Sequence, residues 1–131
     1  QGVLKKGDHV ITTAMDHNSV LRPLYELKRR GLIDYTVIMP YNSFGAIDAY
    51  AVSRAVRANT RLIALTMSSN VTGTIMPYED IGEIAESKGI IYLIDGAQGA
   101  GVLPLNVKTM NISMLAFPGH KSLMGPQGTG G

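Results

Sequence analysis

"IIYLID" (90–95) is a run of apolar residues ending on a carboxylate, and its reading decides the fold. A strand buried on one face alternates apolar and polar residues; this one does not, so both its faces must be covered. "RLIALTM" (61–67) has the same character through its middle. Between the two, Pro77 opens a well-marked helix pattern. Glu79 and Asp80 fall in its first turn, Ile81, Ile84 and Ala85 share one face, and Lys88-Gly89 end it. Apolar strands separated by an amphipathic helix indicate a largely parallel sheet with helices on both faces.

The alternation continues outward. "HVITTA" (9–14) is a short β-branched run, followed by "NSVLRPLYELKRRG", in which Val20, Leu21, Leu24 and Leu27 have helical spacing and Gly31 is a stop. Pro23 is tolerated only near a first turn, so this helix should start within a few residues of Ser19. "DYTVIMP" (34–40) reads as a second strand. Asp48 can cap a helix running to about Val56, with Ala49, Val52, Ala55 and Val56 turned inward. "ISMLAF" (112–117) reads as a fifth strand. No repeat or low-complexity linker interrupts this α/β pattern.

Composition narrows the function classes. The 131 residues make one domain by length, enough to bury roughly two-thirds of the unfolded surface. Hydrophobic residues at 45% and charged residues at 17% describe a globular chain. A net charge of +2 gives no reason to expect nucleic acid or an anionic membrane as a partner. No apolar run approaches the roughly 18 residues of a membrane span, and nothing at the start resembles a signal peptide. There is no cysteine, so disulfides, thiolate metal sites and a cysteine nucleophile are absent, and no metal is expected. The sequence starts at Gln1 and stops in a glycine run, and reads as a piece of something longer.

Open α/β sheets bind ligands beyond the carboxyl ends of their strands. Four polar residues follow strands there: His17, Asn70, Asp95 and Lys121. Asp95 is the only acid after Glu86, and Lys121 the only formally charged residue from Thr109 onward. Nine of the fifteen glycines lie between Gly89 and Gly131, so backbone comes close to something there. One carboxylate and one amine, both isolated at the same sheet edge, suggest a bound small molecule. The alternative is that Asp95 and Lys121 pair with each other, although a buried ion pair is a poor source of stability. His17 also has a plain reading as a helix-cap residue, Asn70 as a turn residue in "SNVTG", and His120 as a loop residue. Gly99, Gly101, Gly125 and Gly128 read as backbone requirements, and His9, after "KKGD", as solvent-facing.

Taken together, "MDHNSV", "SSNVTGTIMP", "LIDGAQGAG" and "FPGHKSLMGPQGTGG" resemble in order and spacing the pyridoxal-phosphate enzymes of the class V aminotransferase family, which have fold type I. Within it they look most like the cysteine desulfurases and selenocysteine lyases. The resemblance covers nearly the whole chain, and the four motifs are specific together, whereas a GHK tripeptide alone is weak. It implies pyridoxal 5'-phosphate as cofactor, with Lys121 as the Schiff-base lysine. An amine must be unprotonated to attack the cofactor aldehyde. It implies Asp95 as the acid on the pyridinium nitrogen and Gln98 as the hydrogen-bond partner of the phenolic oxygen. It implies His17 as the imidazole stacked on the ring and able to relay protons. Asn70 matches the asparagine near the phenolic oxygen and substrate carboxylate, and His120 a ligand of the cofactor phosphate.

On the same ground, residues 1–131 are expected to form the central part of the large cofactor-binding domain of a cytoplasmic homodimer acting on cysteine or selenocysteine. Another class V activity, an aminotransferase or amino-acid lyase, is the alternative enzyme, and a non-catalytic α/β scaffold the alternative of another kind. Three departures from the family stand out. Pro118 occupies the position often held by a phosphate-binding serine and offers neither hydroxyl nor N–H, so that contact is lost or supplied elsewhere. The glycine-threonine loop that cups the phosphate would precede Gln1. The substrate-binding arginine and the reactive cysteine of desulfurases would follow Gly131.

Overall fold

The computed structural model describes residues 2–131. Its elements run β1 (Asp8–Thr13), α1 (Asn18–Arg29), β2 (Ile33–Ile38), α2 (Ala49–Ala55), β3 (Thr60–Thr66), α3 (Tyr78–Ser87), β4 (Ile91–Asp95) and β5 (Met114–Ala116). All five strands lie parallel in the order β2-β1-β3-β4-β5. Each strand and helix expected from the sequence is present, with ends moved by a few residues.

Alternating side chains send the strands' residues into two cores. On one face, Val10, Ile33 and Leu62 pack against Leu24 and Leu27 of α1. On the other, Ile11, Ile63, Leu65, Tyr92 and Ile94 pack with Val52 of α2 and Ile81 and Ala85 of α3. The helices thus cover both faces unequally. Beside α1, Ile91, Leu93 and Met114 are only partly buried.

Local chemistry sets the element ends. Pro23 lies inside α1 at its second turn. It has no N–H for the carbonyl of Ser19, but Ser19 is exposed, so water can take that place. Gly31, with φ of 66°, carries the chain out of α1 in the left-handed region that favours glycine. The Asp48 carboxylate accepts from the Tyr50 N–H at 2.9 Å and caps α2.

His9 corrects the sequence reading. It is fully buried, with ring nitrogens 2.8 Å from the Thr60 hydroxyl and 2.9 Å from that of Thr36. The imidazole therefore ties the amino-terminal ends of β1 and β3 to the middle of β2. Burial lowers its pKa below the ordinary 6.5, helped by the Arg57 charge nearby.

Two outcomes are expected. The unfolded chain takes up a proton on His9 below about pH 6.5 more readily than the folded one, so stability from this residue is complete above that pH and lost on acidification. Denaturant titrations of wild type and His9→Gln from pH 8 to pH 5 should therefore converge as pH falls. Parallel curves would mean the imidazole is not held neutral. The second concerns Gly82, buried in α3, where an added Cβ would meet the Met110 carbonyl oxygen at 2.2 Å. Gly82→Ala should destabilise by about 1–3 kcal/mol through overpacking, although alanine is favoured over glycine within a helix by about 1 kcal/mol. A gain in stability on denaturation would contradict this packing.

Candidate active site

The order of the sheet places a switch point between β1 and β3, where the connections leaving the two strands diverge and open α/β sheets hold their ligands. Pairing between these strands reaches only Ile11↔Ile63. On the other side of β3 it runs on to Thr66↔Asp95, and from there to Asp95↔Ala116. Thr66, Asp95 and Ala116 thus form one row across the carboxyl edge. All three line a cleft of about 550 Å³ on the face that carries α1.

Each wall comes from a different connection. His17, Ser19 and Val20 stand at the start of α1; Thr66 ends β3 and Asn70 follows it; Ala97 and Gln98 follow Asp95; Phe117, Pro118 and Lys121 follow β5. Five of the six residues singled out from the sequence, namely His17, Asn70, Asp95, Gln98 and Lys121, meet here. His120 is exposed and lies outside the lining. The direct pairing of Asp95 with Lys121 is not formed. The ion pairs among the described residues are Lys28–Asp34, Arg29–Glu26 and Arg57–Asp34.

The supports of these side chains are specific. His17 is both cap and lining residue: its Nδ1 accepts from the Ser19 N–H at 3.1 Å as N-cap of α1. A lone pair is therefore required on Nδ1, and a neutral ring carries its proton on Nε2. Asp95 accepts from the Ala97 N–H at 2.9 Å, which tightens the turn towards Gln98. Gly99 lets that turn pass beneath β3, since a Cβ there would lie 2.4 Å from Met67 Sδ.

Lys121 rides on a loop closed at its base. Phe117 and Gly131 exchange hydrogen bonds at 2.7 and 3.0 Å, and the Gly119 N–H donates to the Thr129 carbonyl at 2.7 Å. Gly125 packs there against the Gly119 carbonyl, while Gly101 and Gly128 adopt φ of 85° and 82°. The backbone reading of these glycines therefore holds.

Asp16 and Thr66 escaped the sequence reading. Asp16 is 5% exposed, and its Oδ2 accepts from the Thr13 N–H at 2.7 Å and from the hydroxyls of Thr12 and Thr13 at 2.8 and 2.9 Å. Its Oδ1 accepts from the Thr66 N–H. Burial pushes the carboxyl pKa up from its ordinary value, against the pull of these donors. The available signal was two threonines ending a strand and an acid three residues later, "TTAMD".

Chemically, the cleft joins one amine, one carboxylate, one imidazole and two carboxamides beside an aromatic ring. Among the described residues no helix is long and apolar enough to cross a membrane.

Known proteins resemble this chain in sequence and in fold. The family model for class-V aminotransferases matches residues 1–131. A probable cysteine desulfurase of Methanothermobacter thermautotrophicus is 37% identical over 126 residues, which is 96% of this chain and 31% of the relative's length. A solved structure of SspA in complex with cysteine superposes with a TM-score of 0.89 at 38% identity, over 95% of this chain and 35% of that one. The apo structure of cysteine desulfurase from Thermococcus onnurineus NA1 gives a TM-score of 0.89 at 34% identity, over 98% of this chain and 32% of that one. The chain therefore spans about a third of the length of these relatives. By sequence along its whole length and by the fold that sequence takes, the chain belongs to the class-V aminotransferase family.

Proposed function

We propose that these residues are the central part of the large cofactor-binding domain of a pyridoxal-phosphate enzyme that removes sulfur from cysteine, or selenium from selenocysteine. The enzyme works as a cytoplasmic homodimer. One observation carries the reading: Lys121, Asp95, Gln98, His17 and Asn70, scattered over more than a hundred residues of sequence, line a single cleft at the switch point. The relatives' names direct the choice of reaction, since the similar proteins are cysteine desulfurases and one solved neighbour is described with cysteine.

The donor set fits the ring end of the cofactor. When bound, pyridoxal phosphate supplies an aldehyde that joins to an amine and a ring that accepts electrons from the substrate. Lys121 supplies the amine. Asp95, at the end of an apolar strand, offers a carboxylate to a protonated ring nitrogen and so keeps positive charge on it. Gln98, on the turn that Asp95 tightens, would hydrogen-bond the phenolic oxygen of the same ring. His17 would stack its imidazole on the ring, with Nε2 as the atom that gives or takes a proton. Asn70, on the wall formed after β3, donates to the phenolic oxygen or to the substrate carboxylate. The phosphate end is less furnished: Pro118 lines the cleft without a donor and His120 stands outside it. Phosphate ligands must come from elsewhere in the protein or from the second subunit.

In the full-length enzyme treated with pyridoxal phosphate and then borohydride, peptide mapping should place the pyridoxyl group on Lys121. Label spread evenly over Lys5, Lys6, Lys28, Lys88 and Lys108 would sink the assignment. Asp95→Asn should retain the cofactor yet lower kcat by roughly 10²-fold, the size seen on removing one preorganised electrostatic partner. KM should change far less, because the lost interaction strengthens in the transition state. Turnover near that of wild type would remove Asp95 from the ring nitrogen.

A further inference from the structure

The parallel ladder between β1 and β3 stops at Ile11↔Ile63, short of Thr13 and of Thr66, the last residues of the two strands. Two backbone N–H groups are left there without ladder partners, on strands that are parting. Buried N–H groups are costly to leave unpaired. One side chain takes both: Asp16 accepts from Thr13 on Oδ2 and from Thr66 on Oδ1. The two threonine hydroxyls of β1 complete the shell around Oδ2.

Asp16 is thus joined covalently to His17, the cap of α1, and through a hydrogen bond to Thr66, which lines the cleft and leads into Asn70. A hydrophobic residue at this position would leave both N–H groups unpaired. An asparagine would meet only one, since an amide has one acceptor oxygen and the two donors approach opposite oxygens.

We infer that Asp16 is the positioning residue of the cleft, the carboxylate that fixes the separation of the β1 and β3 ends and with it the placing of His17 opposite Asp95. It does not line the cleft and acts through His17 and Thr66. The inference rests on the functional reading above for what His17 does, but its geometry stands in the protein without cofactor.

The test is a double-substitution cycle in the full-length enzyme reconstituted with pyridoxal phosphate. Asp16→Asn, His17→Ala and the pair are compared by kcat, KM, the visible circular dichroism of the cofactor, and thermal melting. Asp16→Asn is expected to lower kcat about tenfold or more, with KM held within about twofold, because small displacements of aligned groups are costly. It should change the amplitude of the visible dichroism band and add little once residue 17 is alanine, the mark of coupled sites. A variant that melts earlier yet keeps kcat and dichroism overturns the inference, as do two losses that simply multiply. Should Asp16→Asn fail to fold, Thr12→Val removes a single donor from Oδ2 and enters the same cycle, with a smaller loss that is still non-additive with His17→Ala. If wild type takes up no pyridoxal phosphate, the functional reading fails on its own. Positioning is then read from the His17 ring nitrogen resonances in the apoprotein: a shift in Asp16→Asn or Thr12→Val supports it, and unchanged resonances overturn it.

Discussion

The register of β3, β4 and β5 is the constraint on which the rest of the structure depends. Side chains alternate along a strand, so Asp95 shares a face with Leu93 and Ile91, while Ile94 and Tyr92 point into the larger core. A slip of one residue would drive the Asp95 carboxylate into that apolar core and turn Ile94 out. Burying an unpaired carboxylate costs far more than misplacing one aliphatic side chain gains. The polar side chains of Thr66 and Asp95 at the carboxyl edge and the dry core beneath α2 and α3 therefore enforce one another. The cleft opens on the face where α1 leaves β4 and β5 partly uncovered.

Electrical asymmetry follows the same axis. At the amino ends of the strands, Asp34 binds Lys28 and Arg57 at 2.7 Å each, and its carboxyl is held well below the usual range by those two partners. These groups are largely exposed, so the pairs contribute little stability. At the carboxyl edge, Asp95 and Lys121 are kept apart and out of every such pair. The ion pairs around Asp34 thus lie at the amino ends of the strands, while Asp95 and Lys121 stand unpaired among the described residues at the carboxyl edge.

Much of this was legible in the sequence, for physical reasons that differ by residue. Continuous apolar runs marked β3 and β4 as inner strands of a parallel sheet, although one face of β4 is only partly covered, and the caps at Asp48 and Gly31 are short-range chemistry that needs no tertiary context. The rule that α/β sheets bind at their carboxyl ends gathered His17, Asn70, Asp95 and Lys121 before any contact was known, and the family resemblance added Gln98. His9 was misread because the polar "KKGD" before it suggested solvent, whereas the two threonine hydroxyls that receive its ring lie 27 and 51 residues away. Asp16 was missed for a related reason. Its role depends on two strands separating at a switch point, and strand order is not written in local spacing. The roles given to the cleft residues came from family resemblance rather than from spacing, and geometry brought all but His120 to one place.

The tied base of the loop carrying Lys121 has a thermodynamic consequence. Bringing the ends of a loop together costs conformational entropy that grows only slowly with its length. Here the backbone exchange between Phe117 and Gly131 meets that cost during folding. A ligand that bonds to the amine therefore has to still little more than a four-carbon stem, instead of a whole mobile segment. Affinity that would otherwise go into ordering the chain remains available for holding the ligand. The glycines that make the loop look loose in sequence are what allow its strands to close.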